Sequence, residues 1–223
     1  MTLLTEYEII VLSLSAKVAF ASTIIIFIPA LFVSYILAMK KFIGKTFLDS
    51  FVHLPLVLPP VVIGFILLMI FGRNGFLGGH ISHILGYSIS FTWIAATIAS
   101  AVMAFPLFVR SIRQSFESVD KKILLAAESL GASQIKVFIT ILIPLSKNGI
   151  VSGFILSFSR SLGEFGATIT FAGNIFGETQ TIPLAIYSSI QDPDAGIILL
   201  RLVIISIVFS FLALIFSNRL SND

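Results

Sequence analysis

The strongest constraint on this chain is a set of long runs without formal charge. Residues 18–39 carry none, 51–71 carry only His53 as a titratable group, and 89–109 again carry none. Each is long enough to cross a bilayer as an α-helix, which needs about 20 largely apolar residues. Two further runs, 148–168 and 196–216, are equally apolar apart from Arg160 and Glu164 in the first and Arg201 in the second. The patterning predicts an all-α polytopic membrane protein with five spans at these positions, forming one domain over 1–223.

Composition supports lipid as the solvent. Hydrophobic residues make up 57% of the chain and charged residues 11%, against about 25% charged in an ordinary soluble domain. Mean hydropathy is +1.07 in 24.3 kDa. A soluble domain of this size buries only about 70–75% of its chain surface, so it could not hide so much apolar area. Soluble globular, disordered and nucleic-acid-binding readings are excluded on this ground. The net charge of +3 then speaks to topology, because basic residues collect in cytoplasmic loops. Lys40, Lys41 and Lys45 follow the first run. Arg110, Arg113, Lys121, Lys122, Lys136 and Lys147 follow the third, and Arg219 ends the chain. The loops on the other side hold Arg73 alone. This asymmetry places the N-terminus outside and the C-terminus in the cytoplasm. Glu6 and Glu8 precede the first run where a cleavable signal peptide has positive charge, so the first run is expected to remain as a span.

The absence of cysteine excludes disulfides and thiol chemistry. His53, His80 and His83 do not form a metal constellation, and no catalytic set stands out. Gly44-Lys45-Thr46 imitates the end of a phosphate-binding loop, but Met39 occupies the position of the first glycine and no strand precedes it. The chain is therefore expected to be no enzyme, with no catalytic residue, metal or cofactor of its own.

Several features mark a pathway. Pro59 and Pro60 interrupt the second run, Pro29 the first and Pro106 the third. Helix breaks at membrane depth are tolerated where protein or a water-filled cavity satisfies the freed backbone groups. In the fourth run Gly149, Ser152, Gly153, Ser157 and Ser161 form a small-residue row. Such a row allows close helix crossing, whether inside one subunit or at a dimer seam. Arg160 and Glu164 lie one helical turn apart beside it and are expected to pair, because isolated charges in lipid are costly. Hydroxyls at Ser157, Ser159, Thr168 and Thr170 are candidate lining groups for such a pathway.

The segment 120–143 is too long and too apolar for a simple connection, which usually takes 2–8 residues. Asp120 starts a short helix, and Ile123, Leu124, Ala127 and Leu130 recur at helical spacing. Gly131 ends it and Ser133 caps a second helix running to Pro144. The pattern admits two readings, a docking joint for another protein or an amphipathic helix on the membrane surface.

Ala126-Ala127, Gly131, Ile141 and Pro144 fall at the offsets of the pattern E-A-A-x3-G-x9-I-x-L-P, which resembles the coupling motif of bacterial ABC importer permeases. Leu125 stands where that motif has Glu, and Ile143 where it has Leu. The stretches DSFVHLPLVLPPVVIG (49–64), SRSLGEFGATITF (159–171) and GETQTIPLAIY (177–187) are similar to the molybdate importer permeases, of the type I importer fold. The resemblance implies a coupling surface at Ala126, Ala127, Glu128, Gly131, Ile141 and Pro144. From the residues themselves, Pro59, Pro60, Ser157, Ser159, Arg160, Glu164 and Thr168 are the pathway or gate candidates, with Arg160 either paired to Glu164 near an external gate or meeting the anion. The resemblance also implies partners: a second copy of the chain, two ATP-binding cassette subunits that hold ATP and Mg, and a periplasmic or extracellular molybdate-binding protein. Permeases for sulfate or tungstate share the architecture, and an ATP-independent channel or secondary transporter is the reading from another class.

Overall fold

The computed structural model describes residues 4–222, and every regular element among them is a helix. The first, α1 (Glu6–Met39), opens with a capping box. The Glu8 N–H donates to the Thr5 hydroxyl at 3.3 Å, and the Thr5 N–H donates to the Glu8 carboxylate at 2.6 Å. It runs 12 residues further toward the N-terminus than the uncharged stretch predicts, so Glu6, Glu8 and Lys17 are helical. Pro29 sits inside α1 without ending it.

The second apolar run is not one helix. It divides into α2 (Lys45–Val57) and α3 (Pro60–Phe71), whose directions differ by 110°. The physical cause is the Pro59-Pro60 pair, because each proline disfavours helical backbone in the residue before it. Leu58 (ψ 144°) and Pro59 (ψ 131°) are accordingly extended. A short α4 (Gly78–Leu85) leads to α5 (Trp93–Ser118), the axis of the molecule. Its Phe108, Ile112 and Phe116 are fully buried and pack with Leu37 of α1 and Leu142.

Beyond α5 come α6 (Lys121–Ser129), α7 (Gln134–Val137), a π-helical turn (Phe138–Leu142) and α8 (Ile143–Leu145). The fourth run begins as α9 (Lys147–Leu162), turned 72° from the 134–145 segment. It too is broken: Gly163, Glu164 and Phe165 leave the helix before α10 (Gly166–Phe171). Then follow α11 (Ile182–Ile190) and α12 (Gly196–Asn222). Over 196–215 the last is apolar on all sides apart from Arg201 and mostly exposed, as befits a helix solvated by lipid. Three helices (α1, α5, α12) are long and apolar enough to span a membrane, and the two bent pairs bring the total to as many as five.

The bundle closes around α5, which packs against α1, α9 and α10. Where α5 meets α9 the small-residue row packs inside the subunit. A Cβ on Gly149 would overlap the Ser115 side chain, and one on Gly153 would come within 2.9 Å of the Phe108 ring. The Ser111 hydroxyl donates to the Gly149 carbonyl at 2.9 Å across the same contact. Ser152 instead turns to α12, donating to the Ser217 carbonyl at 3.1 Å.

Candidate functional site

Two regions carry the residues singled out in the sequence, and they lie on different parts of the fold. The first is the helix pair α6–α7. Asp120 accepts from the Lys122 N–H at 2.9 Å and starts α6, and Ser133 accepts from the Lys136 N–H at 3.3 Å and starts α7. Between them the chain turns through Gly131 at φ +87°. The Ala132 N–H donates to the Ala127 carbonyl at 3.1 Å and the Gly131 N–H to the Glu128 carbonyl at 2.9 Å. This is the Schellman arrangement, in which the left-handed residue is normally glycine. The fixed spacing from Ala126-Ala127 to Gly131 thus has a local cause: one helical turn, then the cap that closes it.

No residue of α6 is buried. The apolar stripe read from the sequence is split by the structure. Leu124 and Ala127 are half-buried, with Leu124 packed against the main core, whereas Ile123, Leu125 and Leu130 face outward. Leu130 is 90% exposed and Ile135 on α7 is 72% exposed. Ala126 and Glu128 are exposed beside them, so the outer surface is apolar and small at its centre. Ile141 is half-buried in the π-turn and Pro144 is exposed just beyond it. Pro144 lacks an N–H, and the Ile143 N–H reaches back five residues to the Phe138 carbonyl. Lys40 at the end of α1 donates to Gln134 Oε1 at 2.9 Å, which ties this joint to α1.

The second region is where the two broken runs meet. The start of α10 lies against the start of α3. A Cβ on Gly166 would come within 2.7 Å of Pro60 Cβ, and one on Gly64 would come within 2.6 Å of the Ala167 carbonyl oxygen. Sequence reasoning noted Pro59 and Pro60 but missed both glycines, whose only signal was their small size inside apolar runs. Arg160 and Glu164 do pair: Arg160 Nη2 lies 2.7 Å from Glu164 Oε2. The other carboxylate oxygen accepts from the Ala167 N–H at 2.9 Å. Glu164 therefore joins the end of α9 to the first turn of α10, where an acidic group also meets the positive end of the helix. Its side chain is 1% exposed, and that of Arg160 is 27% exposed.

The hydroxyls divide. Ser157 and Thr168 are fully buried within the subunit, and the Thr168 hydroxyl points back to the Glu164 carbonyl at 3.4 Å. Ser159 is half-buried and donates to the Ile155 carbonyl at 2.7 Å, and Thr170 likewise donates to the Gly166 carbonyl at 2.9 Å. Ser161 meets Ser22 of α1, hydroxyl to hydroxyl, at 2.8 Å. Pro59 is exposed and Pro60 half-buried. The surface at the junction thus belongs to Pro59, Ser159 and Arg160, with Glu164, Ser157 and Thr168 enclosed behind it. Among the described residues no group of His, Asp or Glu is placed to hold a metal ion.

A helical bundle with a bare two-helix projection and two internally broken spans is a narrow description, and it has known counterparts. The family model for "binding-protein-dependent transport system inner membrane component" matches residues 10–222. The chain belongs to this family. It is a multi-pass component of the inner membrane and part of a transport system. It is 51% identical to the molybdenum transport system permease protein of Haemophilus influenzae over 215 residues, 96% of this chain and 94% of that one. With the corresponding Escherichia coli K12 protein it shares 47% over 220 residues, 99% and 96% of the two chains. With the sulfate transport system permease protein of Salmonella typhimurium it shares 34% over 176 residues, 79% and 63%. Among solved structures it superposes on the MetNI methionine ABC transporter with a TM-score of 0.65 at 15% identity, covering 97% of each chain, a likeness of fold.

Proposed function

We propose that this chain is the translocating subunit of an ATP-driven importer that carries molybdate into the cytoplasm. The observation that carries the reading is the 51% identity, over nearly the whole of both chains, to a molybdenum transport permease. The likeness to the sulfate permease is lower and covers less of it, which favours molybdate over sulfate. In this reading five spans cross the membrane, with the N-terminus outside. Two copies enclose the path, and an external binding protein delivers the anion.

Hydrolysis belongs to a partner ATPase that binds ATP and Mg, and α6–α7 is where it docks. The apolar, small-residue outer surface of α6 has no partner among the described residues, and its turn at Gly131 is rigidly capped. ATP binding draws the two copies of α6 together, and movement passes through the π-turn and Pro144 into α9. At the far end of α9 the Arg160–Glu164 pair and the Pro59–Pro60 break form the gate region. Arg160 acts there chiefly as the partner of Glu164, because its guanidinium is already committed. Only a difference in ATPase affinity between the two states can drive the change.

The test is disruption of the joint at a residue without backbone strain. Leu130→Asp should reduce co-purification of the ATPase subunit at least about tenfold, the equivalent of losing one anchoring contact. Membrane insertion should be unchanged. Normal ATPase association and molybdate uptake in that variant would overturn the docking assignment.

A further inference from the structure

Between α2 and α5, at the end of the bundle that carries α6, lies a polar cleft of about 510 Å³ that the coupling and gate regions do not use. Its walls are Asp49, Ser50 and His53 on α2 and Arg110, Arg113, Gln114 and Glu117 on α5. The spacing of the α5 residues places them on one face of that helix, opposite the buried Phe108, Ile112 and Phe116.

The charges in the cleft are not equivalent. Arg113 bridges two carboxylates, with Nη1 2.9 Å from Asp49 Oδ2 and Nε 2.8 Å from Glu117 Oε1. Its cation therefore answers part of the two carboxylates' charge and holds α2 against α5. Arg110 is exposed, and no carboxylate among the described residues lies within 4 Å of it. His53 Nδ1 lies 2.8 Å from the Asp49 carbonyl oxygen and 3.2 Å from Asp49 Oδ1, both acceptors, so Nδ1 carries the ring proton and Nε2 of the neutral ring is an acceptor. The Ser50 hydroxyl and the Gln114 amide line the same space.

We infer that this cleft is an exit-side subsite for the transported oxyanion, with Arg110 supplying charge and the Gln114 amide a hydrogen-bond donor, and with Ser50 on the wall beside them. The inference rests on the molybdate reading above. A tetrahedral oxyanion is recognised by converging N–H and O–H donors and one cation. The carboxylates on Arg113 keep the local field weak, so the anion is held loosely enough to leave. An exit position needs that property, since a site that bound tightly would trap the cargo.

This chain has no cysteine, so label read on the permease chain of a single Ser50→Cys variant reports on the cleft alone. The probe is labelling by anionic and cationic methanethiosulfonate reagents in the nucleotide-free complex of permease and ATPase, with millimolar sodium molybdate present or absent. Molybdate should slow labelling, and sodium chloride at equal ionic strength should not. Adding Arg110→Gln should remove the protection and lower the ratio of anionic to cationic labelling about 25-fold, a factor of about five on each reagent in opposite directions, the effect of one unit charge at close range in a hydrated site. Adding Arg110→Lys should retain most of both. Free labelling by both reagents with no protection by any oxyanion would overturn the inference. So would equal protection by chloride, or a cysteine that neither reagent reaches in the assembled complex. Protection by sulfate or tungstate in place of molybdate, still dependent on Arg110, would uphold the subsite and overturn the assigned cargo.

Discussion

Glu164 is the residue whose environment most limits what can replace it. It is enclosed by protein, its two oxygens are used by Arg160 and by the Ala167 N–H, and it stands where one helix stops and the next begins. A buried ion pair contributes little net stability, but removing one partner leaves a charge without compensation and costs about 3–5 kcal/mol. Arg160→Gln should therefore lower the unfolding temperature of the detergent-purified chain markedly. Arg160→Gln combined with Glu164→Gln should be milder, since the amide oxygen introduced by the second change still accepts from Ala167 and no charge is stranded. Thermal unfolding of the two variants beside the parent decides the matter. A double variant as unstable as the single would show that the pair is not coupled. Glu8 offers a contrast. It is as deeply enclosed, but Arg201 lies 3.6 Å away and is partly exposed, and the Thr5 N–H and hydroxyl already serve the same carboxylate oxygen.

At the scale of elements, the paired breaks in the second and fourth runs depend on close backbone approach. Gly166 faces Pro60 with no room for a methyl group, whereas a Cβ on Gly163 would have nothing nearer than 3.9 Å. Gly166→Ala should destabilise by about 1–3 kcal/mol through overpacking, and Gly163→Ala should be tolerated. The folded yield and thermal unfolding of both provide the comparison, and equal behaviour would show that α3 and α10 can separate at no cost. This junction also shows how far the sequence could be read. Charge-free runs locate spans because lipid penalises charge wherever it falls. They say nothing of direction, so 51–71 reads as a single rod although Pro59 and Pro60 turn it through 110°. The break at Gly163 was hidden for the converse reason. Glycine and glutamate are both compatible with helix, and only the contact with α3 shows why the chain leaves it there. The turn at Gly131 was legible because its cause is local, a left-handed cap one turn beyond Ala127. The cleft between α2 and α5 was not, because Asp49 and Arg113 are far apart in the chain and meet only through the fold.

For the whole molecule, α1 and α5 independently mark the same slab. Lys17 Nζ lies 3.6 Å from the centroid of the Trp93 ring. This places the last charge before the uncharged stretch of α1 level with the first residue of α5, an arrangement suited to the interface, where tryptophan collects. From Trp93, about 20 residues along α5 reach Arg113, about 30 Å at helical rise. From Lys17 a similar length of α1 reaches Lys40. Both match the roughly 30 Å hydrocarbon thickness. In the proposed topology the first turns of α1 project beyond the membrane. Tyr7 there stacks on Phe176 at 5.2 Å, and the Ser15 hydroxyl accepts from the Ile182 N–H at 2.8 Å. The basic residues gather at the Lys40–Arg113 side, so in the proposed orientation that side is cytoplasmic and the projecting end external. Single cysteines on this cysteine-free background test the orientation directly. Asp194 and Ser129 are both exposed, Asp194 between α11 and α12 and Ser129 on α6. A membrane-impermeant maleimide applied to intact spheroplasts should label Asp194→Cys and leave Ser129→Cys unmodified until the membrane is permeabilised. The reverse pattern would invert the molecule and remove α6 from the reach of any cytoplasmic ATPase. Labelling of both before permeabilisation would mean that α5 and the bent pairs do not cross as proposed.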